Sequence, residues 1–270
     1  MGAPKIGCGA HGAARGPMNI HFACTQCGRC CHGLRLTLSV DEAIAWAGNG
    51  DTVQILTEAL PQSESNADEE SHAEYEKARS FPATSGEATI RIAAILVAFH
   101  PGPCPHLRPD MRCGNYSARP RICRIYPLES RPFTNLSVER KLCPPDAWAL
   151  GHPPLMSGEL IADPAGARIV GEHRRILIED VPVVSATCTT LGISTAAFAN
   201  EGLAVHTPEP SALATVLQTA KAASSHLPRA EQWAIVTNRR STLAILESAG
   251  CQATLVARGD NYLGSFPDEI

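Results

Sequence analysis

Cys24-Thr25-Gln26-Cys27-Gly28-Arg29-Cys30-Cys31 places four thiols within eight residues. This stretch decides whether the first half of the chain is organised by packed secondary structure or by a bound centre. A C-x2-C step presents two sulfurs to one ion or cluster, and two such steps overlap here. Cys24, Cys27 and Cys30 follow the C-x2-C-x2-C rhythm of ferredoxin-type segments, in which a further cysteine before a proline often completes the ligand set. Both Cys104-Pro105 and Cys143-Pro144 offer that remote thiol. Cys31 projects differently from its neighbour Cys30, which leaves it for a second centre or a bridging role.

Working outward, Cys113 and Cys123 join these six, so the candidate metal ligands are Cys24, Cys27, Cys30, Cys31, Cys104, Cys113, Cys123 and Cys143. Zinc competes with an iron-sulfur cluster for them, because four thiolates also make a tetrahedral zinc site and eight would make two. His32 and His106 stand beside candidate ligands and could replace a thiolate or hydrogen-bond one. Arg108, Arg112, Arg119, Arg121, Arg124 and Arg131 interleave with the second thiol group, where guanidinium charge would offset an anionic centre. Cys188 and Cys251, isolated in apolar surroundings, read as packed hydrophobes, and Cys8 in its glycine-rich segment is undecided.

At 270 residues, with 44% apolar side chains, the chain can bury a core without covalent staples. Eleven cysteines therefore need another explanation than disulfides. Met1 to Ile20 lacks the continuous apolar stretch of a secretory signal, which leads to the expectation of a cytoplasmic protein with reduced thiols. No membrane span is expected either, since Ile90 to Phe99 is short and contains Arg91. A formal charge of −4 argues against nucleic acid as the default ligand; a protein partner is expected instead. Composition does not specify the oligomeric state.

Leu34-Arg35-Leu36-Thr37-Leu38 alternates as a half-buried strand. Ser39 with Glu42 has the form of a capping box for a helix through Ala47, stopped by Gly48 and Gly50. Thr52 to Leu60 could be strand or helix. Gln62 to Glu76 reads as an exposed acidic excursion, partly helical toward Tyr75-Glu76-Lys77, and Ala88 to Phe99 as a strand. From Cys104 to Pro145, recurrent proline predicts irregular backbone wrapped around a centre. Composition shifts near residue 150. Trp233 to Thr237, then Asn238 as a helix cap, Arg239 to Ser248, Gly250 and Ala253 to Ala257 form a βαβ-like unit without a glycine-rich phosphate loop. The expectation is an α+β chain: an irregular cysteine-rich metal-binding domain over residues 20–150, then a small α/β unit of open role over residues 151–270.

Phe22-Ala23-Cys24-Thr25-Gln26-Cys27-Gly28-Arg29-Cys30-Cys31 fits an F-x-C-x2-C-G-x-C-C opening. Gly102-Pro103-Cys104-Pro105-His106-Leu107 with Cys113, then Tyr116, Arg119-Pro120 and Cys123-Arg124-Ile125-Tyr126-Pro127, fit two further segments of the same pattern. In these motifs the chain resembles the CxxCxxCC family of zinc- or iron-chelating, YkgJ-like cysteine-cluster proteins, over about residues 20 to 150. The resemblance implies chelation by the eight cysteines, with an iron-sulfur cluster, foremost a 4Fe-4S centre, or zinc as the group held. Redox, sensing or assembly roles would follow. Some relatives are described as flagellin lysine N-methylases, which makes a metal-dependent protein-modifying enzyme the alternative. No glycine-rich S-adenosylmethionine loop is visible, and likeness of motif does not establish a reaction. Cys31 and His32 are adjacent and so do not make a catalytic dyad, whose partners meet through the fold. A zinc-stapled interaction module is the third reading.

Overall fold

β1 (Asn19–His21) leads into the cysteine cluster and β2 (His32–Thr37) leads out of it, as the alternation over Leu34–Leu38 requires. The computed structural model describes residues 19–61, 70–223 and 231–269, so Cys8 lies outside the described residues. Ser39 caps α1 (Val40–Gly48) as expected: its hydroxyl accepts from the Glu42 N–H at 3.3 Å, and the Glu42 carboxylate accepts from the Ser39 N–H at 2.9 Å. The free Val40 N–H donates to Asp180 at 2.7 Å.

β3 (Val53–Pro61) resolves the ambiguity over Thr52–Leu60 and shows its cause. Every residue from Val53 to Ala59 is buried, and a strand covered on both faces loses the alternation by which strands are read. Its polar members are partnered. Gln54 accepts from Arg35 at 3.0 Å, Thr57 donates to the Thr195 carbonyl at 2.8 Å, and Glu58 accepts from Arg79 at 2.6 Å. Of the acidic excursion, residues 62–69 lie outside the described residues, and α2 (Glu70–Ala78) supplies the expected helix. β4 (Phe81–Ser85) then turns into β5 (Ala88–Pro103), which runs past the expected Phe99 because His32 to Thr37 of β2 pair with its second half.

The segment from Cys104 to Pro145 is turns and single 3-10 turns around one short helix, α3 (Arg121–Ile125). β6 (Pro154–Ser157) and β7 (Leu160–Ile161) form a small antiparallel sheet with β1. α4 (Pro164–Glu179) starts at Asp163, whose carboxylate accepts from the Ala165 and Gly166 N–H groups, and α5 (Val181–Thr190) follows directly. The last part contains β8 (Thr195–Phe198), β9 (Gly202–His206), α6 (Pro210–Ala223), β10 (Ala234–Thr237), α7 (Arg240–Ser248), β11 (Ala253–Leu255) and β12 (Tyr262–Gly264). β10, α7 and β11 make the expected βαβ unit, with the two strands parallel. The cap differs from expectation: Arg239 occupies that position without a side-chain cap, while Asn238 is fully buried and donates to the Phe266 carbonyl at 2.8 Å.

Among the described residues the main sheet has nine strands, in the order β11-β10-β8-β3-β5-β2, with β4 on β5, β9 on β3 and β12 on β9. α1, α5 and α6 cover one face, where Trp46, Ile55, Leu96, Val184, Leu213, Leu217 and Trp233 form the main core. The shift of composition near residue 150 does not divide this sheet: β3 pairs in parallel with β8 and antiparallel with β9. Likewise Leu155, Met156, Ile169 and Val170 pack with Ile125 and Leu128 in a small second core under the cysteine-bearing loops. Pairing between strands so far apart in the chain leaves no local mark, whereas β10-α7-β11 is local and legible. Among the described residues, no helix is long and apolar enough to cross a membrane.

Candidate metal centre

Four stretches of backbone deliver the eight thiols, and hydrogen bonds fix each stretch to its neighbour. On the β1–β2 loop the Gln26 N–H donates to the Cys24 Sγ at 3.4 Å, and Gln26 and Gly28 both adopt left-handed backbone, at φ 54° and 69°. The Cys31 N–H then closes on the Gly28 carbonyl at 2.9 Å. Gly28 is needed twice over, because a Cβ there would also collide with the Met111 carbonyl of the second cysteine loop.

That second loop is joined to the first by the Cys104 N–H, which donates to the Cys31 carbonyl at 2.8 Å and so continues the β2–β5 ladder into the site. A turn follows, with the Leu107 N–H on the Cys104 carbonyl at 2.9 Å, and a bridge between Leu107 and Cys113 brings Cys113 back beside Cys104. Cys123 rides on α3. The N-terminus of α3 is clamped to α1, since the Arg121 N–H donates to Glu42 Oε1 at 2.7 Å and the Arg121 guanidinium donates to Ser39 Oγ at 3.2 Å. Cys143 follows Leu142, whose N–H donates to the Tyr126 hydroxyl at 2.8 Å. Just beyond, the Ala147 carbonyl accepts from the Ala23 N–H at 2.9 Å.

All eight expected cysteines line one cavity of about 720 Å³. His106 is on its wall, edge-on to Trp46 with ring centroids 5.3 Å apart, whereas His32 is exposed and lies off it. The basic run divides in the same way. Arg119 and Arg124 line the cavity, but Arg121 and Arg131 pair with Glu42 and Glu58 at 3.3 and 3.8 Å. Arg29, Arg140 and Lys141 also line it; their places beside Cys30 and just before Cys143 were the signal available in the sequence. Cys188 is fully buried in the main core and Cys251 packs at its edge, as expected of inert thiols.

Burial pushes the Cys31 and Cys123 thiols up to about 12 and raises Cys30, Cys104 and Cys143 as well. Neighbouring sulfurs add to the rise, while Arg119 opposes it at Cys123 and the Tyr126 hydroxyl opposes it at Cys143. Sulfurs gathered in this way stay protonated until a cation is present to replace the protons, which is the behaviour of a thiolate metal site. The two carboxylates on the wall are already engaged, Glu129 with Lys141 at 2.6 Å and Asp163 at the start of α4. The donor set therefore fits a thiophilic metal. Among the described residues no group of three or more His, Cys, Asp or Glu side chains converges as it would on one ion; the sulfurs stand around a space wider than one ion requires.

No curated protein and no solved structure matches the chain. One family model does, CxxCxxCC, described as "Putative zinc- or iron-chelating domain", over residues 23–144. That span opens one residue before Cys24 and closes one after Cys143, so it contains all eight thiols on the cavity wall. Over residues 23–144 the chain is similar to the CxxCxxCC family of zinc- or iron-chelating domains.

Proposed function

We propose that this protein is a cytoplasmic iron-sulfur protein that holds cluster iron, foremost as 4Fe-4S, through its cysteine loops, and that it serves electron transfer, sensing or assembly together with a protein partner. The observation that carries this reading is the set of eight thiols around a cavity of about 720 Å³, with no three of the possible ligands among the described residues converging on a single point. Sulfide-bridged iron spans separated thiolates, whereas a lone zinc ion requires them drawn to one tetrahedron. A bound cluster would supply one-electron redox chemistry, and burial, the nearby guanidinium groups of Arg119 and Arg124, and hydrogen bonds to sulfur would tune its potential.

Free thiols at all ten described cysteines support a reducing compartment. Met111, Tyr116 and Leu142 are exposed on the cavity rim beside Arg29 and Arg119. Aromatic residues, methionine and arginine are the groups enriched where proteins dock, which supports a protein partner at this mouth. Anaerobic purification followed by iron, sulfide and zinc analysis tests the reading. A coloured protein with iron and sulfide in equal amounts, bleached by reductant, is expected; a colourless protein with stoichiometric zinc would overturn it in favour of a zinc-stapled module.

A further inference from the structure

We infer that the eight thiols form two separate four-sulfur centres: Cys24, Cys27, Cys30 and Cys143 hold one, and Cys31, Cys104, Cys113 and Cys123 hold the other. The inference rests on the metal-binding reading above but not on which metal is bound.

Backbone connections draw the division. The first set is brought together where the chain entering Cys24 runs beside the chain leaving Cys143. The Ala23 N–H donates to the Ala147 carbonyl at 2.9 Å, the Ala147 N–H returns to the Pro144 carbonyl at 3.0 Å, and the Phe22 and Trp148 rings meet at a tilt, their centroids 4.8 Å apart. Cys143 thereby becomes the remote Cys-Pro ligand of the C-x2-C-x2-C loop, and Cys104-Pro105 does not. Cys104 is tied elsewhere: its N–H is on the Cys31 carbonyl at 2.8 Å, the Leu107–Cys113 bridge folds Cys113 back against it, and both Cys104 and Cys123 pack on the edge of the main core.

The proximity of the sulfurs follows the same division except at Cys30. Cys143 lies within charge range of Cys30, Cys27 and Cys24, Cys31 within range of Cys30, Cys104 and Cys113, and Cys123 within range of Cys104, Cys30 and Cys113. The two sets touch at Cys30, which Cys31 and Cys123 of the second set also approach. Adjacent residues of a 3-10 turn such as Arg29–Cys31 leave the backbone about 120° apart, and the Cys30 and Cys31 sulfurs still lie close together, so the two residues can serve neighbouring centres. This gives the doubled cysteine of the motif a physical reason: one peptide bond links two neighbouring centres. Loading each centre exchanges thiol protons for metal, and those protons leave to solvent.

Metal per chain, measured by elemental analysis on folded protein, tests the division. Cys24 is the exposed member of the first set, so Cys24→Ala removes a ligand without leaving a hole; Cys113→Ala does the same work in the second. Each single variant is expected to keep half the metal of the parent, and Cys24→Ala with Cys143→Ala should keep that same half. Cys24→Ala combined with Cys113→Ala should keep none, while Cys251→Ala should keep all. The retained half is itself evidence that a single variant has folded. Complete loss in both single variants, or a parent loaded with only one centre's worth of metal, would overturn the division. These counts are ratios and read alike for zinc and for iron, so finding zinc would overturn the iron-sulfur reading and leave the two centres standing.

Discussion

Around β3 and β5 the chain is held by apolar burial, with Val53, Ile55, Ile92, Leu213, Leu217 and Trp233 inside. Under the cysteine-bearing loops Ile125 and Leu128 share a small core with Leu155, Met156, Ile169 and Val170, and nearly all backbone from Cys104 to Pro145 is irregular. The sheet can therefore order itself from hydrophobic contacts and ladder hydrogen bonds. The loops lack that means, and their order depends on what the sulfurs hold. The two regions are nevertheless joined, by Cys104 at the end of the β2–β5 ladder and by Glu42, which caps α1 and also holds the start of α3.

Removing the metal should separate the two regions most sharply. Structural thiolate sites contribute on the order of 10 kcal/mol in small metal-dependent domains, so chelation is expected to expose the amides of Cys24–Cys31 and Cys104–Cys143 to rapid hydrogen exchange. Amides of β3 and β5 should stay protected. Equal loss in both regions would show that the sheet also depends on the centre.

The converse perturbation is Ile55→Ala, at a fully buried side chain in the main core. It should lower the stability of the sheet by about 2–5 kcal/mol in urea unfolding, while the metal content of the protein that remains folded is unchanged. Gly28→Ala acts on the loops instead. The left-handed backbone and the collision with the Met111 carbonyl should cost about 1–3 kcal/mol of local strain and reduce metal retention, with the thermal transition of the sheet little moved.

How much of this was legible follows from the same contrast. The thiol group was legible because metal ligation constrains residue type and spacing, and the eight named thiols line one cavity. The capping box at Ser39 and Glu42 was readable because it is local. β3 was ambiguous because burial on both faces removes its period. α5, with its Val and Thr content, carries weak helix propensity and is made by packing against α6 and the sheet. Asp163-Pro164 at the start of α4 was a usable cap and first-turn signal that the reading passed over. Arg121 shows the limit of charge patterns: it sits among cysteines yet is occupied by Glu42 and Ser39.

Glu42→Ala tests the joint between the regions. It removes the Glu42 half of the capping box, leaving the Ser39 hydroxyl in place, together with the acceptor for the Arg121 N–H, so a loss of about 0.5–1.5 kcal/mol is expected from the box alone. Metal retention should also fall, because Cys123 follows Arg121 on α3. Glu42→Gln keeps an acceptor and should restore most of the retention. If the alanine variant loses stability without losing metal, the clamp on α3 is not what positions Cys123.

The mildest effect is expected at the seam, where His173 on α4 lies in a cavity of about 80 Å³ lined also by Leu96, Arg79 and Asp180. The ring is 1% exposed and neither nitrogen has a hydrogen-bond partner. Burial pushes its pKa below the ordinary 6.5, with Glu42 opposing that and Arg121 and Arg174 adding to it. The unfolded chain then takes up a proton below about pH 6.5 that the folded chain refuses, so stability is full above that pH and falls as pH drops toward the folded value. The slope contributed is at most about 1.4 kcal/mol per pH unit. Unfolding at pH 7 and pH 5 should differ less in His173→Leu than in the parent. If the two proteins show the same difference, the ring is taking up its proton inside the fold, and the seam is open to water in a way the main core is not.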